Sequence, residues 1–201
     1  MLPSSLQNII IQLSRLPGLG ERSATRLAFW LLNQPKEDLE KFAQALKDLK
    51  QKTKTCPRCF NLATDTFCSI CSDQKRNKKI ICIVEDIMDI IPIERTKQYS
   101  GVYHILGGLI SPTEGLTPEK LKIKELVDRI KKLQKEPKLE EVEIILAFNP
   151  TSEGDATTLY LQRLLRPLKI KITRLGRGLS TGSDLEYTDE TTLTNALLGR
   201  K

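Results

Sequence analysis

The segment at residues 56–71 reads CPRCFNLATDTFCSIC and contains two Cys-x-x-Cys pairs separated by eight residues. Each pair can supply two thiolates from one tight turn, and four thiolates form the closed, tetrahedral shell of a structural zinc site. Two disulfides or a redox pair are the alternative. A redox Cys-x-x-Cys opens a helix, whereas Pro57 and Asn61 surround the first pair with turn-forming residues. The spacing therefore predicts a zinc site whose ligands are Cys56, Cys59, Cys68 and Cys71.

The spacer between the two cysteine pairs is too short for the recognition helix of a finger that reads DNA in the major groove. The segment also has few large apolar residues, so that zinc would replace a missing hydrophobic core. We therefore expect the metal to have a structural role. A direct contact between this segment and DNA, through Arg58, is the alternative.

The composition is that of a globular chain without a membrane span. Of its 201 residues, 39% are hydrophobic and 28% are charged, and no apolar run approaches the ~20 residues that a membrane-spanning helix needs. The start MLPSS lacks the basic and apolar regions of a signal peptide. Free or metal-bound cysteines fit a reducing compartment. We therefore expect a bacterial cytoplasmic protein, although a nuclear protein would have the same composition.

Positive charge is concentrated at the N-terminal end of the chain. Residues 1–79 contain fourteen basic and seven acidic side chains, whereas residues 80–201 contain eighteen of each, so the whole net charge of +7 belongs to the first part. This asymmetry predicts an N-terminal part that faces nucleic acid. Ordinary solubilising lysines are the alternative.

Apolar residues recur at helical spacing in three segments of the first fifty residues. The segments are Leu6–Leu16, Glu21–Leu32, and a third helix after Pro35. The core stripe predicted for the third helix consists of Leu39, Phe42, Ala43, Leu46 and Leu49.

The turn between the first two helices reads LPGLG at residues 16–20 and matches a helix-hairpin-helix. Gly18 and Gly20 can adopt positive φ and let the backbone approach a ligand. The free N–H groups at the start of the second helix form a ready phosphate site, and Arg22 and Arg26 share one helix face beside it. We expect these four residues to contact DNA backbone without reading sequence. The alternative is an αα-hairpin whose arginines are merely solvated.

From Ile80 onward the pattern changes to alternating strands and helices, which predicts an α/β unit with a mostly parallel sheet. The run Ile80–Val84 indicates a strand buried on both faces. The further strands are expected at residues 101–106, 142–148 and 170–174, and the helices near residues 87–96, 121–134, 155–165 and 190–198. A loop at residues 176–183 precedes the last helix.

Acidic residues follow two of these strands, where the crevice of a parallel sheet binds ligands. Glu85 and Asp89 follow the first strand, and Glu153 and Asp155 follow a later one. Their carboxylates can hold Mg²⁺, or they can simply cap the helices that begin there. No nucleophile lies beside a base in a recognisable triad, and His104, the single histidine, is expected in a strand as a core residue. We therefore expect no catalytic residues.

The order of the motifs resembles the bacterial RecR recombination mediator family over the whole chain. The motifs are LPGLG at 16–20 followed by Arg22, the four-cysteine segment, YHILGG at 103–108, NPTSEGDAT at 149–157 and GSDLEYTD at 182–189. The resemblance implies an α+β chain of several parts. They are a helix-hairpin-helix at 1–54, a four-cysteine zinc finger at 55–72, a Toprim α/β domain at 79–174, and an oligomerising C-terminal segment at 175–201.

The resemblance further implies a protein that is not an enzyme. RecR proteins form ring-like tetramers, built from dimers, that can clamp DNA. With RecO and RecF they help to load RecA onto single-stranded DNA at the nucleoid. The family's DNA-contacting positions map onto Arg22 and Arg26, and the first acidic Toprim position maps onto Glu85, with Asp89 nearby. Zinc is implied as a structural cofactor, and Mg²⁺ is possible but not required.

Two rival functions remain at this point. Catalytic Toprim domains carry Asp-x-Asp on a later strand, where this chain has Glu153-x-Asp155. A Toprim-type, Mg²⁺-dependent nuclease or topoisomerase-like enzyme would use Glu85, Glu153 and Asp155. The second rival is a scaffold that never touches DNA.

Overall fold

Three helices form the first unit of the chain, which ends at Thr53. The computed structural model describes residues 2–135 and 142–199. The three helices are α1 (Ser4–Ser14), α2 (Glu21–Leu32) and α3 (Lys36–Lys52). α1 and α2 pack against each other, and the core of this unit consists of Leu6, Ala24 and Ala28.

The apolar residues of α3 are not buried in a core within one chain, so the prediction that they form a core stripe is wrong. No residue of α3 is buried, and the exposed fractions of Phe42, Leu46 and Leu49 are 52%, 55% and 66%. The helix itself forms as the periodicity predicts. Its apolar face is left open because no described element of the first unit covers it.

The second unit begins at Lys54 and contains a four-stranded sheet in which every pair of neighbours is parallel. Its strands are β3 (Asn77–Val84), β4 (Gly101–Ile105), β5 (Glu143–Ala147) and β6 (Lys171–Arg174), in the order β4-β3-β5-β6. β3 lies inside the sheet and ends in four consecutive buried residues. This agrees with the continuous apolar run in its sequence, since such runs belong to strands covered on both faces.

The helices of the second unit agree with the helical segments read from the sequence. They are α5 (Ile90–Arg95), α6 (Ile123–Gln134), α7 (Ser152–Leu165) and α8 (Glu190–Leu198). α5 is shorter than the periodicity suggests, because a 3₁₀ turn at Ile87–Asp89 precedes it. Pro92 lies in the first turn of α5, where a missing N–H is tolerated. No helix among residues 2–135 and 142–199 is long and apolar enough to cross a membrane.

The cysteine segment is mostly loop, as its turn residues predict, with three short elements. They are β1 (Lys54–Thr55), which pairs with β2 (Leu62–Ala63), and the single-turn helix α4 (Ser69–Ser72). The segment covers the outer edge of the sheet, because the N–H of Ile105 in β4 donates to the carbonyl of Cys59 at 3.0 Å. An edge strand that would otherwise expose unpaired groups is thereby protected. The predicted fold class, a multi-part α+β chain with a mostly parallel sheet, is confirmed.

Candidate functional site

The four cysteines of the two pairs meet in one buried cluster. Their sulfur atoms all lie within 4.8 Å of one another, and the Sγ atoms of Cys59 and Cys68 are 3.5 Å apart. A tetrahedral zinc ion with Zn–S bonds of about 2.3 Å needs sulfurs about 3.8 Å apart. In the described part of the chain no other group of three or more His, Cys, Asp or Glu is close enough to share an ion. The donor set and its geometry therefore fit zinc.

The thiols already interact as one electrostatic unit. A hydrogen bond from Cys59 lowers the pKa of Cys71, and the same bond, together with burial, raises the pKa of Cys59. Burial also raises the pKa of Cys68. A bound zinc ion requires all four as thiolates, so binding releases protons and leaves the cluster with two negative charges in excess.

Two arginines lie against this cluster and can balance that charge. Arg58 donates to the carbonyl of Cys71 at 3.3 Å. Arg129 of α6 donates to the carbonyl of Arg58 at 3.4 Å and to that of Tyr103 at 2.7 Å. Burial lowers the pKa of Arg129, and the thiols of Cys71 and Cys59 oppose this shift. Arg129 forms no ion pair with a carboxylate of the described residues, which leaves the metal site as its counter-charge.

The turn between α1 and α2 has the open geometry that a phosphate needs. Gly18 has a φ of +82°, which favours glycine, and a Cβ on Gly18 or Gly20 would meet nothing within 4 Å. Gly20 has an ordinary extended φ of −80° and is the N-cap of α2, so only one of the two glycines adopts the positive φ that we expected. No side chain caps the helix, whose first N–H groups are therefore free for a ligand.

Arg22 and Arg26 stand on the exposed side of α2, one turn apart and next to this N-terminus. Neither forms an ion pair with another residue that the structure describes. The opposite face of α2 is fixed against α1 through Ala24 and Ala28. The arrangement thus presents two unpaired cations and free N–H groups on one rigid surface.

The acidic residues predicted at the sheet divide into two pairs with different surroundings. Glu85 follows β3 and accepts a hydrogen bond from Asn149, which follows the neighbouring strand β5. Burial raises the pKa of Glu85, and the nearby carboxylates of Asp89 and Asp86 raise it further. Asp89 accepts from the N–H of Asp86 at 2.9 Å in a capping box. Glu85 and Asp89 therefore form an acidic edge at the carboxyl ends of the strands.

Glu153 and Asp155 lie in the first turn of α7, which is capped by Thr151. Asp155 accepts hydrogen bonds from Arg174 at 2.5 Å and Arg177 at 2.5 Å, which hold the pKa of its carboxyl at about 2. The paired arginines neutralise Asp155 and tie α7 to the chain that leaves β6. Glu153 is half-buried and makes a weak contact with Ser152 at 3.4 Å.

His104 is fully buried in β4, as its position in a predicted strand suggests. Its Nε2 atom bonds the carbonyl of Lys122 at 2.8 Å, and its Nδ1 atom has no partner among the described residues. Phe60 packs edge-on against the ring. Burial lowers the pKa of His104 to about 4, so the neutral ring is a core residue near pH 7.

Sequence reasoning missed Arg129, Arg174 and Arg177. Arg129 had a weak signal, because it lies three residues after buried Leu126 and so borders the apolar stripe of α6. Arg174 and Arg177 had none, since basic residues at the end of a strand are ordinary in solvated loops. Their partner, Asp155, comes from a distant part of the chain.

Comparisons with known proteins match most of the chain in four segments. Family models match residues 6–50 as the RecR helix-hairpin-helix, 53–73 as the four-cysteine zinc finger domain of RecR, 79–176 as a Toprim domain and 178–201 as the RecR C-terminal part.

Several curated relatives are similar over almost their full length. The protein named recombination protein RecR from Deinococcus radiodurans is 48% identical over 199 residues, which cover 99% of this chain and 87% of the relative. The protein of the same name from Chloroherpeton thalassium is 45% identical, covering 98% and 96%. That from Myxococcus xanthus is 42% identical, covering 100% and 99%.

Proposed function

The chain belongs to the RecR family of recombination proteins, and we propose that it acts in recombinational DNA repair as a non-enzymatic, DNA-binding mediator. With RecO and RecF it would help to load RecA onto single-stranded DNA at the nucleoid of the bacterial cytoplasm. The division of labour follows the sequence: residues 1–54 bind DNA, 55–72 hold zinc, 79–174 form the Toprim domain and 175–201 serve oligomerisation.

The DNA contact is proposed at the hairpin, on one observation. Arg22 and Arg26 are exposed, lack acidic partners among the described residues, and flank a helix start whose N–H groups are uncapped. Gly18 and Gly20 leave room for a backbone to approach. Phosphate groups fit this combination of charge and donors, and they carry no sequence information. We therefore expect the hairpin to bind DNA of any base sequence.

A ring of several copies would bind DNA more tightly than a single hairpin. The exposed apolar face of α3 needs a cover, and a second copy is the occupant that the family implies, in a tetramer built from dimers. Once one hairpin has bound, the others act at a high effective concentration. Light scattering should report an oligomer at micromolar concentration. A strict monomer would contradict the proposed ring-like clamp. Phe42→Ser with Leu49→Ser should reduce its mass, whereas Leu159→Ser with Leu164→Ser, at exposed leucines of α7, should not.

The acidic edge is proposed as a docking site for a basic partner such as RecO. Glu85 and Asp89 supply its charge, while Glu153 and the arginine-bound Asp155 border it. Glu85 and Asp89 would supply at most two carboxylate ligands to Mg²⁺ at the same edge, and the mediator role does not require the metal.

The first experiment is DNA binding by the Arg22→Ala/Arg26→Ala variant. We expect weaker binding to all sequences and a salt dependence that is flatter by roughly 0.9 per lost duplex phosphate contact, or about 0.7 on single strands. Lys124→Ala/Lys131→Ala removes the same charge from exposed positions of α6 and serves as the control. Unchanged affinity of the arginine variant at low salt would contradict the assignment of the DNA contact to the hairpin. Absence of binding by the wild type itself would favour a scaffold that never touches DNA.

The raised pKa of Glu85 is the observation that favours the rival, enzymatic function, because such a carboxyl can act in acid–base chemistry. Supercoiled and linear DNA incubated with pure protein and Mg²⁺ separates the two functions. We expect both substrates to stay intact. Cleavage that Glu85→Gln abolishes would replace the mediator role by a Toprim-type nuclease or topoisomerase-like activity.

A further inference from the structure

A groove that is separate from the acidic edge lies between the zinc finger, the sheet and α6. Its volume is about 770 Å³, and its floor includes Pro57, Val102 and Leu133. Its walls carry cationic, aromatic and acidic side chains that the proposed function does not use. Arg129 also borders this groove, but its guanidinium is held by the carbonyls of Arg58 and Tyr103 and is not assigned to a ligand here.

Three cations reach the groove from three different elements. Arg58 comes from the turn between the first two cysteines, Lys78 from β3 and Lys132 from α6. Lys78 belongs to an irregular stretch, because residues 78–80 have no partner in β4 between the pairs Asn77–Gly101 and Ile81–Val102. Such bulges re-aim side chains, here towards the groove. Neither lysine forms an ion pair with another described residue.

The Arg58 guanidinium lies over the ring of Phe67 and forms a platform with it, its Cζ atom 4.4 Å from the ring centroid. Its hydrogen bond to the carbonyl of Cys71 fixes the platform to the finger. Phe67 remains 36% exposed. Aromatic rings and guanidinium planes are the surfaces on which unpaired bases stack.

Two carboxylates on α6 complete the groove and help to identify its ligand. Glu125 and Asp128 line it beside the lysines, and Asp128 has no cationic partner among the described residues. The carboxylate side chains of an acidic peptide offer these groups no hydrogen-bond donor. Glu125 and Asp128 are suitable acceptors for the exocyclic amino groups of bases. A ligand that has phosphates, aromatic faces and amino groups can interact with the cationic, the aromatic and the acidic side chains of the groove.

We propose that this groove is a second nucleic-acid site, which binds single-stranded DNA. Lys78 and Lys132 contact its phosphates, a base stacks on the platform of Arg58 and Phe67, and Asp128 accepts from a base amino group. A duplex cannot use the platform, because its bases are already stacked and paired. The inference rests on the proposed function and adds a strand preference to it.

The experiment compares full-length variants in DNA binding at about 50 mM salt and in salt titrations. Lys78→Ala/Lys132→Ala should weaken single-strand binding roughly fivefold to tenfold and flatten its salt dependence by about 1.4, for two lost contacts. Phe67→Leu keeps an apolar side chain but removes the ring, and should cost about fivefold or more on single strands. Duplex binding should be unchanged in both. Lys124→Ala/Lys131→Ala, at exposed positions of α6 that do not line the groove, is the charge-matched control.

Each other outcome overturns the inference in a distinguishable way. Equal losses on single strands and duplex would make the lysines a general phosphate contact. Losses no larger than in the control would show that the groove does not bind DNA. If Arg22→Ala/Arg26→Ala still weakens DNA binding in that case, the proposed function stands without the groove. If labelled poly-glutamate binds the wild type and is lost only in the groove variant, while DNA affinity stays intact, the groove belongs to an acidic protein segment. Zinc content and oligomer mass confirm that each variant is folded.

Discussion

Arg129 donates a 2.7 Å hydrogen bond to the main-chain carbonyl of Tyr103, and through the same nitrogen it reaches the carbonyl of Arg58 at 3.4 Å. One cation of α6 thus joins the edge strand β4 to the turn that presents the first pair of cysteines. Ile70 of the finger packs against the apolar clusters on both sides of the sheet and against the cysteines themselves. The zinc finger and the sheet are therefore one structural unit.

Replacing Arg129 by Met should loosen the metal site without touching a ligand. The change removes one of the two arginines that can balance the charge of the thiolates, together with its two hydrogen bonds. Losses of such supporting contacts around a metal site cost about 10- to 100-fold in metal affinity. Competition with a coloured zinc chelator measures the affinity. Arg163→Met, on the exposed side of α7, is the matched control and should bind zinc like the wild type. Equal affinities in all three proteins would refute the role given to Arg129.

Metal analysis should give about one zinc per chain, because one cluster of four thiolates holds one ion. Cys59→Ser should lose the metal and unfold at a lower temperature. Cys82→Ala removes the fifth cysteine, which lies in β3 away from the cluster, and should keep the zinc. Freshly purified protein with no zinc and five titratable thiols would rule the site out.

The stability of the fold should fall in mild acid because of His104. Its pKa is about 4 in the folded chain and about 6.5 when exposed, so the unfolded chain binds an extra proton between these values. Stability is complete above pH 6.5 and decreases as the pH falls towards 4, by about 2 kcal/mol at pH 5. Arg129 adds to the shift, while the bond to the carbonyl of Lys122 opposes it.

Denaturant unfolding at pH 7 and pH 5 measures this loss, with His104→Gln as the variant that lacks the titration. Acid also protonates the zinc ligands, and the difference between wild type and variant removes that contribution. NMR provides a direct check, because the chain has a single histidine. An imidazole that titrates near pH 6.5 in the folded protein would contradict the prediction.

Gly154 should not tolerate even a methyl group. A Cβ there would overlap the carbonyl of Asn149, at the tight turn between β5 and α7. We expect Gly154→Ala to cost about 1–3 kcal/mol in the free energy of unfolding. Gly176→Ala is the control, since a Cβ at that position meets nothing within 4 Å and should change stability by less than about 0.5 kcal/mol. Equal unfolding midpoints for the two variants would show that the turn can open.

The features that were predictable from the sequence depend on near neighbours along the chain. Helical periodicity gave α2 and α8 with the observed bounds, and the β-branched run at Ile80–Val84 gave an interior strand. The ligand spacing of the cysteines gave the metal site. In each case the deciding residues lie within about two turns or one hairpin of one another.

The sequence by itself determined the type and order of the main elements and the four cysteines that meet in one cluster. It also predicts the two hairpin arginines as DNA contacts. The tertiary structure decided which surfaces those elements present. It left the stripe of α3 exposed, paired Asp155 with two arginines and set Arg129 beside Arg58, 71 residues away in the chain. The physical reason is that periodicity and ligand spacing depend only on residues close together in the chain, so they predict which helix, strand or turn a residue belongs to. The counter-charges, edge protection and grooves arise only when distant elements pack together.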